Sequence, residues 1–109
     1  MENLTYAKII SLKNKILSKT SVDKSRLKGY RYVDELHELK IGGYVRWINV
    51  EHLDKLMAGG FVVRIDIEDD GTRILCKNRG RLFQFWMDEC IVFQKITPQE
   101  HIIFIANEY

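Results

Sequence analysis

The chain has few of the residues that carry chemistry. Only two cysteines, Cys76 and Cys90, occur in 109 residues; their spacing matches no metal-binding pattern, and two thiols are too few for a disulfide framework. The three histidines, His37, His52 and His101, stand far apart in the sequence, so none has a second imidazole at ligand spacing. No glycine-rich phosphate loop opens a helix, and no nucleophile elbow is present. No apolar run of about 18 residues exists, which argues against a membrane-spanning helix. The opening MENLTYAKII lacks the basic region and long apolar stretch of a secretory signal, which predicts an intracellular, reducing compartment.

Carboxylates are more plentiful, but they crowd turns. Asp66, Glu68, Asp69 and Asp70 gather at one hairpin tip, Asp88 and Glu89 at a break between strands. Glu68-Asp69-Asp70 lacks the alternating ligands of a calcium loop. The expectation is a protein without catalytic residues, metal, cofactor or small-molecule substrate.

What the chain does have is the makeup of one globular domain: 46% of its residues are apolar and 29% charged, inside the usual range for such a domain. At this length roughly 60 to 70% of the unfolded surface can be buried, enough for a core without disulfide or metal. The net charge of +2 is unevenly spread. Residues 1–32 carry eight Lys and Arg against two carboxylates, 8 − 2 = +6, and residues 33–109 carry nine against thirteen, 9 − 13 = −4. Such a leader can meet an acidic partner, a phosphate backbone included, or lie against its own acidic body.

Residues 4–18 repeat apolar positions at the helical period, with Asn3 or Thr5 as cap, and predict an amphipathic helix. A helix this short must dock on something. Residues 1–28 are therefore read as a basic helix and connector, and residues 29–109 as a small β-domain. Tyr30-Arg31-Tyr32-Val33 suggests a short strand with both tyrosines on one face, and 34–39 a single helical turn. Gly42-Gly43 precedes the strand Tyr44 to Ile48. Phe61 to Ile67 alternates, which predicts Phe61, Val63, Ile65 and Ile67 on one face. Asp69-Asp70-Gly71 and Asn78-Arg79-Gly80 predict tight turns, with Cys76 as a small buried hydrophobe. Phe83, Phe85 and Met87 are expected inward, Gln84 and Trp86 outward, before a final core strand from Cys90 to Lys95.

Short strands joined by glycine turns predict a mainly β fold. The expected form is a small antiparallel barrel of the Src-homology-3 (SH3-like) kind, with the N-terminal helix beside it. An oligonucleotide-binding type of barrel fits less well, because the strands are short. At the C-terminus Thr97-Pro98-Gln99-Glu100 has the form of a helix start, yet His101-Ile102-Ile103-Phe104-Ile105 is β-branched and continuously apolar. The favoured reading is an apolar strand covered on both faces.

The phrases YRYVDELHELKIGGYVRWI, LMAGGFVVRI and FQFWMDECIVFQK resemble a pattern in small, uncharacterised proteins of large nucleocytoplasmic DNA viruses. The matching residues are Gly42, Gly43, Tyr44, Val45, Arg46, Trp47, Gly59, Gly60 and Phe61, and the likeness spans residues 30–95. It implies a small β-barrel that is a viral accessory or virion protein, in the host cytoplasm or the particle, and it brings no catalytic residue. The residues themselves suggest two binding classes. Aromatics and arginines anchor protein interfaces, and Tyr44, Trp47, Arg73, Lys77, Arg79, Arg81 and Trp86 are the candidates for a partner surface. The same basic turn and aromatic rings suit single-stranded nucleic acid, although the β portion is net acidic where a dedicated binder is basic. The expected function is a non-catalytic interaction module that self-associates or binds a larger scaffold, with nucleic-acid binding as the alternative.

Overall fold

The computed structural model describes residues 5–108. The first helix, α1 (Tyr6–Leu17), begins where Thr5 accepts a hydrogen bond from the Lys8 N–H at 3.2 Å; the alternative cap, Asn3, lies outside the described residues. Ile9, Lys13 and Leu17 recur every fourth position on its buried side, as a helix with one docked face requires. A connector with a 3₁₀ turn at Lys24–Leu27 follows. Then come β1 (Tyr30–Val33), β2 (Tyr44–Asn49), β3 (Gly60–Glu68), β4 (Gly71–Asn78), β5 (Arg81–Trp86), β6 (Cys90–Lys95) and α2 (Pro98–Ala106). A 3₁₀ turn at Leu36–Glu38 separates β1 from β2, and another at Met87–Glu89 separates β5 from β6.

The six strands form one antiparallel sheet in the order β1-β6-β2-β3-β4-β5. The mainly β prediction holds, but the sheet is not closed: β1 and β5 are its two edges and do not pair with each other. A simple meander runs only from β2 to β5, and β6 returns to insert between β1 and β2. The insertion explains why CIVFQK reads as a continuous buried run. Val92 and Gln94 face one side, Phe93 faces the other, and all three are buried.

Two cores result. Val33, Val45, Trp47, Val62, Ile74, Cys76, Phe85 and Val92 pack within the curve of the sheet. On the opposite face of β1-β6-β2, Ile48 and Phe93 pack against Leu17 of α1, Val22 and Leu27 of the connector, and Leu56. Tyr30 and Tyr32 share this second face, as their spacing predicted. The second core is what docks α1. Lys13, although charged, is buried there, and its ammonium donates to the Leu27 carbonyl at 3.0 Å; burial pulls its pKa below the usual lysine value.

The C-terminal strand expected from sequence is instead α2. Thr97 caps it, the Glu100 carboxylate returns a bond to the Thr97 N–H, and Pro98 occupies the first turn. These capping groups satisfy donors that a strand would leave open. A tertiary tie adds to them. Arg31 on β1 donates through Nε to Glu100 at 3.0 Å and through its terminal nitrogen to Gln94 at 3.0 Å. Gln94 in turn donates to the Lys40 carbonyl and accepts from the Lys40 N–H, and the Lys40 ammonium lies 3.3 Å from Glu100. Nor is the apolar run covered on both faces. Phe104 is buried, while Ile102, Ile103 and Ile105 are 68%, 56% and 38% exposed.

The expected face of β3 also differs. A register shift between Val62 and Arg64 breaks the alternation: Phe61 is exposed on one face, whereas Ile65, opposite the buried Ile74, falls on the face of Val62, as does Ile67, which is exposed because it lies at the hairpin end. A β-bulge adds one residue to one strand and reverses the faces beyond it.

Both thiols are free, and their surroundings set their reactivity. Burial pushes the Cys76 thiol up to about 12, and burial with the nearby Glu89 charge pushes Cys90 up to about 11. Since the thiolate is the nucleophile, iodoacetamide at pH 8 is expected to label both slowly in the folded protein, the half-buried Cys90 first. Both should label rapidly in denaturant. Fast native labelling of Cys76 by mass spectrometry would contradict the packing described.

Candidate interaction surface

The surface grows from the β4–β5 hairpin. Its turn is Arg79-Gly80, with φ of +51° and +80°; two consecutive left-handed residues make the tight turn whose twist matches paired strands. Arg79 is the one non-glycine with positive φ among the described residues. The hairpin root is tied down by Asn78, whose amide donates to the Gly59 carbonyl at 3.0 Å and to the Tyr44 hydroxyl at 3.3 Å. Tyr44 itself donates to the Ala58 carbonyl at 2.9 Å.

Strand register then places a row of side chains across the outer face. Tyr44 on β2 opposes Phe61 on β3, Phe61 opposes Lys77 on β4, and Lys77 opposes Leu82 on β5. Tyr44 and Phe61 meet edge to face with ring centres 5.0 Å apart. Phe61 is 52% and Leu82 62% exposed, with Lys77 between them. Farther along the same face, Arg73 opposes Trp86 and stands 6.0 Å above its ring. Arg73 is also paired with Asp66 at 3.5 Å and with Glu68, so its charge is already neutralised within the sheet.

Of the residues singled out from sequence, Tyr44, Lys77, Arg79 and Arg81 thus gather at one end of the β3–β5 face, and Arg73 and Trp86 at the other. Trp47 is elsewhere. It points into the core, stacked on Phe85 at 4.2 Å with planes 20° apart, and is 7% exposed. Lys77, Arg79 and Arg81 make no ion pair among the described residues. Phe61 and the three isoleucines of α2 belong to the accessible surface and were not anticipated there. The bulge that turns Phe61 outward leaves no mark in the linear pattern, and the exposure of the isoleucines follows from the helix, not the strand, at 98–106.

Two cavities were candidates for small molecules. The first, about 200 Å³, lies between α1, β1 and α2 with Ile9, Leu12, Tyr32 and Phe104 in its walls; the charged Arg31 and Glu100 beside it are paired with each other. The second, about 310 Å³, separates β5 from the loop after β2 and is lined by Trp47, His52, Lys55, Met57, Gln84, Phe85 and Trp86. Among the described residues no group of three or more His, Cys, Asp or Glu is placed to hold a metal ion, and no helix is long and apolar enough to cross a membrane. No family model, curated protein or solved structure matches the chain, and its chemistry is therefore read from its own geometry.

Proposed function

We infer that the protein is a non-catalytic interaction module. The observation that carries this is the amount of apolar side chain left in solvent on two ordered elements: Ile102, Ile103 and Ile105 on α2, and Phe61, Leu82 and Phe83 on the β3–β5 half of the sheet. Exposed apolar side chains beyond what a small domain scatters singly over its surface mark docking sites; here Phe61 and Leu82 share the outer face of the sheet, Phe83 lies on the inner one, and the isoleucines are on α2. Following the resemblance carried by its Gly-Gly-aromatic strands, we place it as a minor structural or assembly component of a large DNA virus. The strand path supports reading the domain as an SH3-like barrel left open on one side: β2 to β5 form a meander, and β6 returns beside β2 after a 3₁₀ turn.

Affinity purification from the native source tests the reading. A double variant, Ile102→Glu with Ile103→Glu, alters only exposed side chains and is expected to fold as the wild type does. A protein partner retained by the wild type and lost by this variant is the expected result. One observation favours the alternative: Lys77, Arg79 and Arg81 sit together without carboxylate partners among the described residues. Retention of nucleic acid that falls steeply with salt and disappears on Arg79→Ala with Arg81→Ala would replace the interaction reading with that one.

A further inference from the structure

One edge of β5 has no neighbour, since β4 pairs with the other side of the strand and the sheet ends there. The turn fixes which groups the open edge presents. Asn78 and Arg81 flank a two-residue turn and form its first hydrogen-bonded pair; Phe83 and Phe85 therefore also bond to β4, and the N–H and C=O groups of Leu82, Gln84 and Trp86 point away from it. The Trp86 C=O, as N-cap of the Met87–Glu89 3₁₀ turn, already closes that turn; no described loop or turn backbone group bonds the others. The loop after β2 stands across the 310 Å³ cleft instead of against the strand. An open edge of this kind is a template for another strand.

The strand is self-complementary about its centre, Gln84. Outward backbone groups sit at Leu82, Gln84 and Trp86. Leu82 and Trp86 flank the centre on one face of the sheet. Arg79 and Arg81 lie at one end, Asp88 and Glu89 at the other, and Arg79, Arg81 and Glu89 are without ion pairs among the described residues.

Building on the interaction reading, we propose that β5 pairs antiparallel with β5 of a second copy of this chain, about a two-fold axis through Gln84. Gln84 then opposes Gln84, Leu82 opposes Trp86 on the outer face, and Phe83 opposes Phe85 on the inner one. Gln84 gains both bonds with its counterpart, the Trp86 N–H meets the Leu82 carbonyl, and the Leu82 N–H shares the Trp86 carbonyl with the 3₁₀ turn it caps. The arginine end of each strand meets the acidic end of its neighbour, which is the isologous pattern a two-fold contact requires. Phe83, 43% exposed in the single chain, is set beside the other copy's Phe85 at the mouth of the cleft. Neighbouring registers do worse. Centred on Phe83, Trp86 faces Gly80 inside the turn; centred on Phe85, Leu82 faces Asp88 inside the 3₁₀ turn.

Sedimentation equilibrium of the full chain over a range of concentrations tests the pairing. A reversible dimer is expected. Gln84→Pro removes an outward N–H while leaving the bonds to β4 in place, a substitution edge strands accept, and is expected to give a monomer with unchanged far-ultraviolet circular dichroism. Arg79→Glu and Glu89→Lys should each weaken the dimer by about tenfold, since the charge in the turn before one β5 and that in the 3₁₀ turn after the other change from attractive to repulsive at two symmetric places. The variant carrying both, with the charges exchanged, should recover wild-type association. If Gln84→Pro does not fold, this exchange carries the test. A wild-type chain that stays monomeric at the highest concentration, or a dimer indifferent to these substitutions, overturns the pairing. The α2 variant then decides the wider interaction reading separately, because it leaves β5 untouched.

Discussion

Glu100→Ala is expected to lower the unfolding free energy by roughly 3–5 kcal/mol, the cost of removing one partner from a buried ion pair. Glu100 and Arg31 are each only 6% exposed, so the guanidinium left behind keeps Gln94 but loses its one buried carboxylate. The same substitution removes the return bond of the α2 cap, and α2 should lose its docking as well as the domain its stability. Urea titration followed by circular dichroism measures the effect, and a loss below about 1 kcal/mol would mean that the pair is solvated in solution. The carboxyl also sets a pH dependence. Burial pushes its pKa upward, but the Thr97 N–H, Arg31 and Lys40 together outweigh burial and hold it below the ordinary 4.5. A depressed folded value means that the contribution is fully present above about pH 4.5 and is lost as the pH falls through the folded pKa. Glu100→Gln should flatten that acid limb relative to the wild type.

Gly59→Ala should be nearly as damaging, at roughly 2–5 kcal/mol. Its φ of +91° is strained for any residue with a Cβ, and that Cβ would overlap the Val45 carbonyl oxygen, which belongs to backbone and cannot rotate away. The site matters because β2 and β3 are paired only through Tyr44–Phe61 and Val45–Gly60. Gly42→Ala is the control. Its φ is +90°, but open space surrounds it, so it should cost about 1 kcal/mol, the conformational part alone. Equal losses for the two variants would show that packing at the β2–β3 junction contributes nothing.

The parts of this fold legible in the sequence are those set by local chemistry. The two hairpin turns, the short β1 strand, the capped α1 and the buried Cys76 all follow from residue type and period, and the structure has them in place. What local chemistry does not reveal is pairing across distance. Nothing in the local sequence marks Arg31 and Gln94 as core residues; they become so when β1 and β6 are neighbours and Glu100 arrives from α2, and those three side chains then satisfy one another in the core. The same contact decides between strand and helix at 98–106, where the β-branched run and the capping signal pull in opposite directions. Trp47 and Trp86 show the limit for the candidate surface. Both are tryptophans in aromatic strands, yet one is stacked on Phe85 in the core and the other lies under Arg73 on the outer face. Register and sheet curvature separate them, and neither is written in spacing alone.

The return of β6 between β1 and β2 also orders events during folding. The hairpins from β3 to β5 join strands that follow one another closely and close only short loops. By contrast, β1 pairs only with β6, and Tyr30 meets Lys95 from the far end of the chain. Such distant contacts pay their loop-closure entropy before they return any stability. Until Cys90–Lys95 docks, β1 has no strand to pair with and Leu17 and Leu27 lack Phe93, their neighbour in the second core. Refolding is therefore expected to protect the β3–β5 hairpins, with the open edge of β5, before the N-terminal half closes.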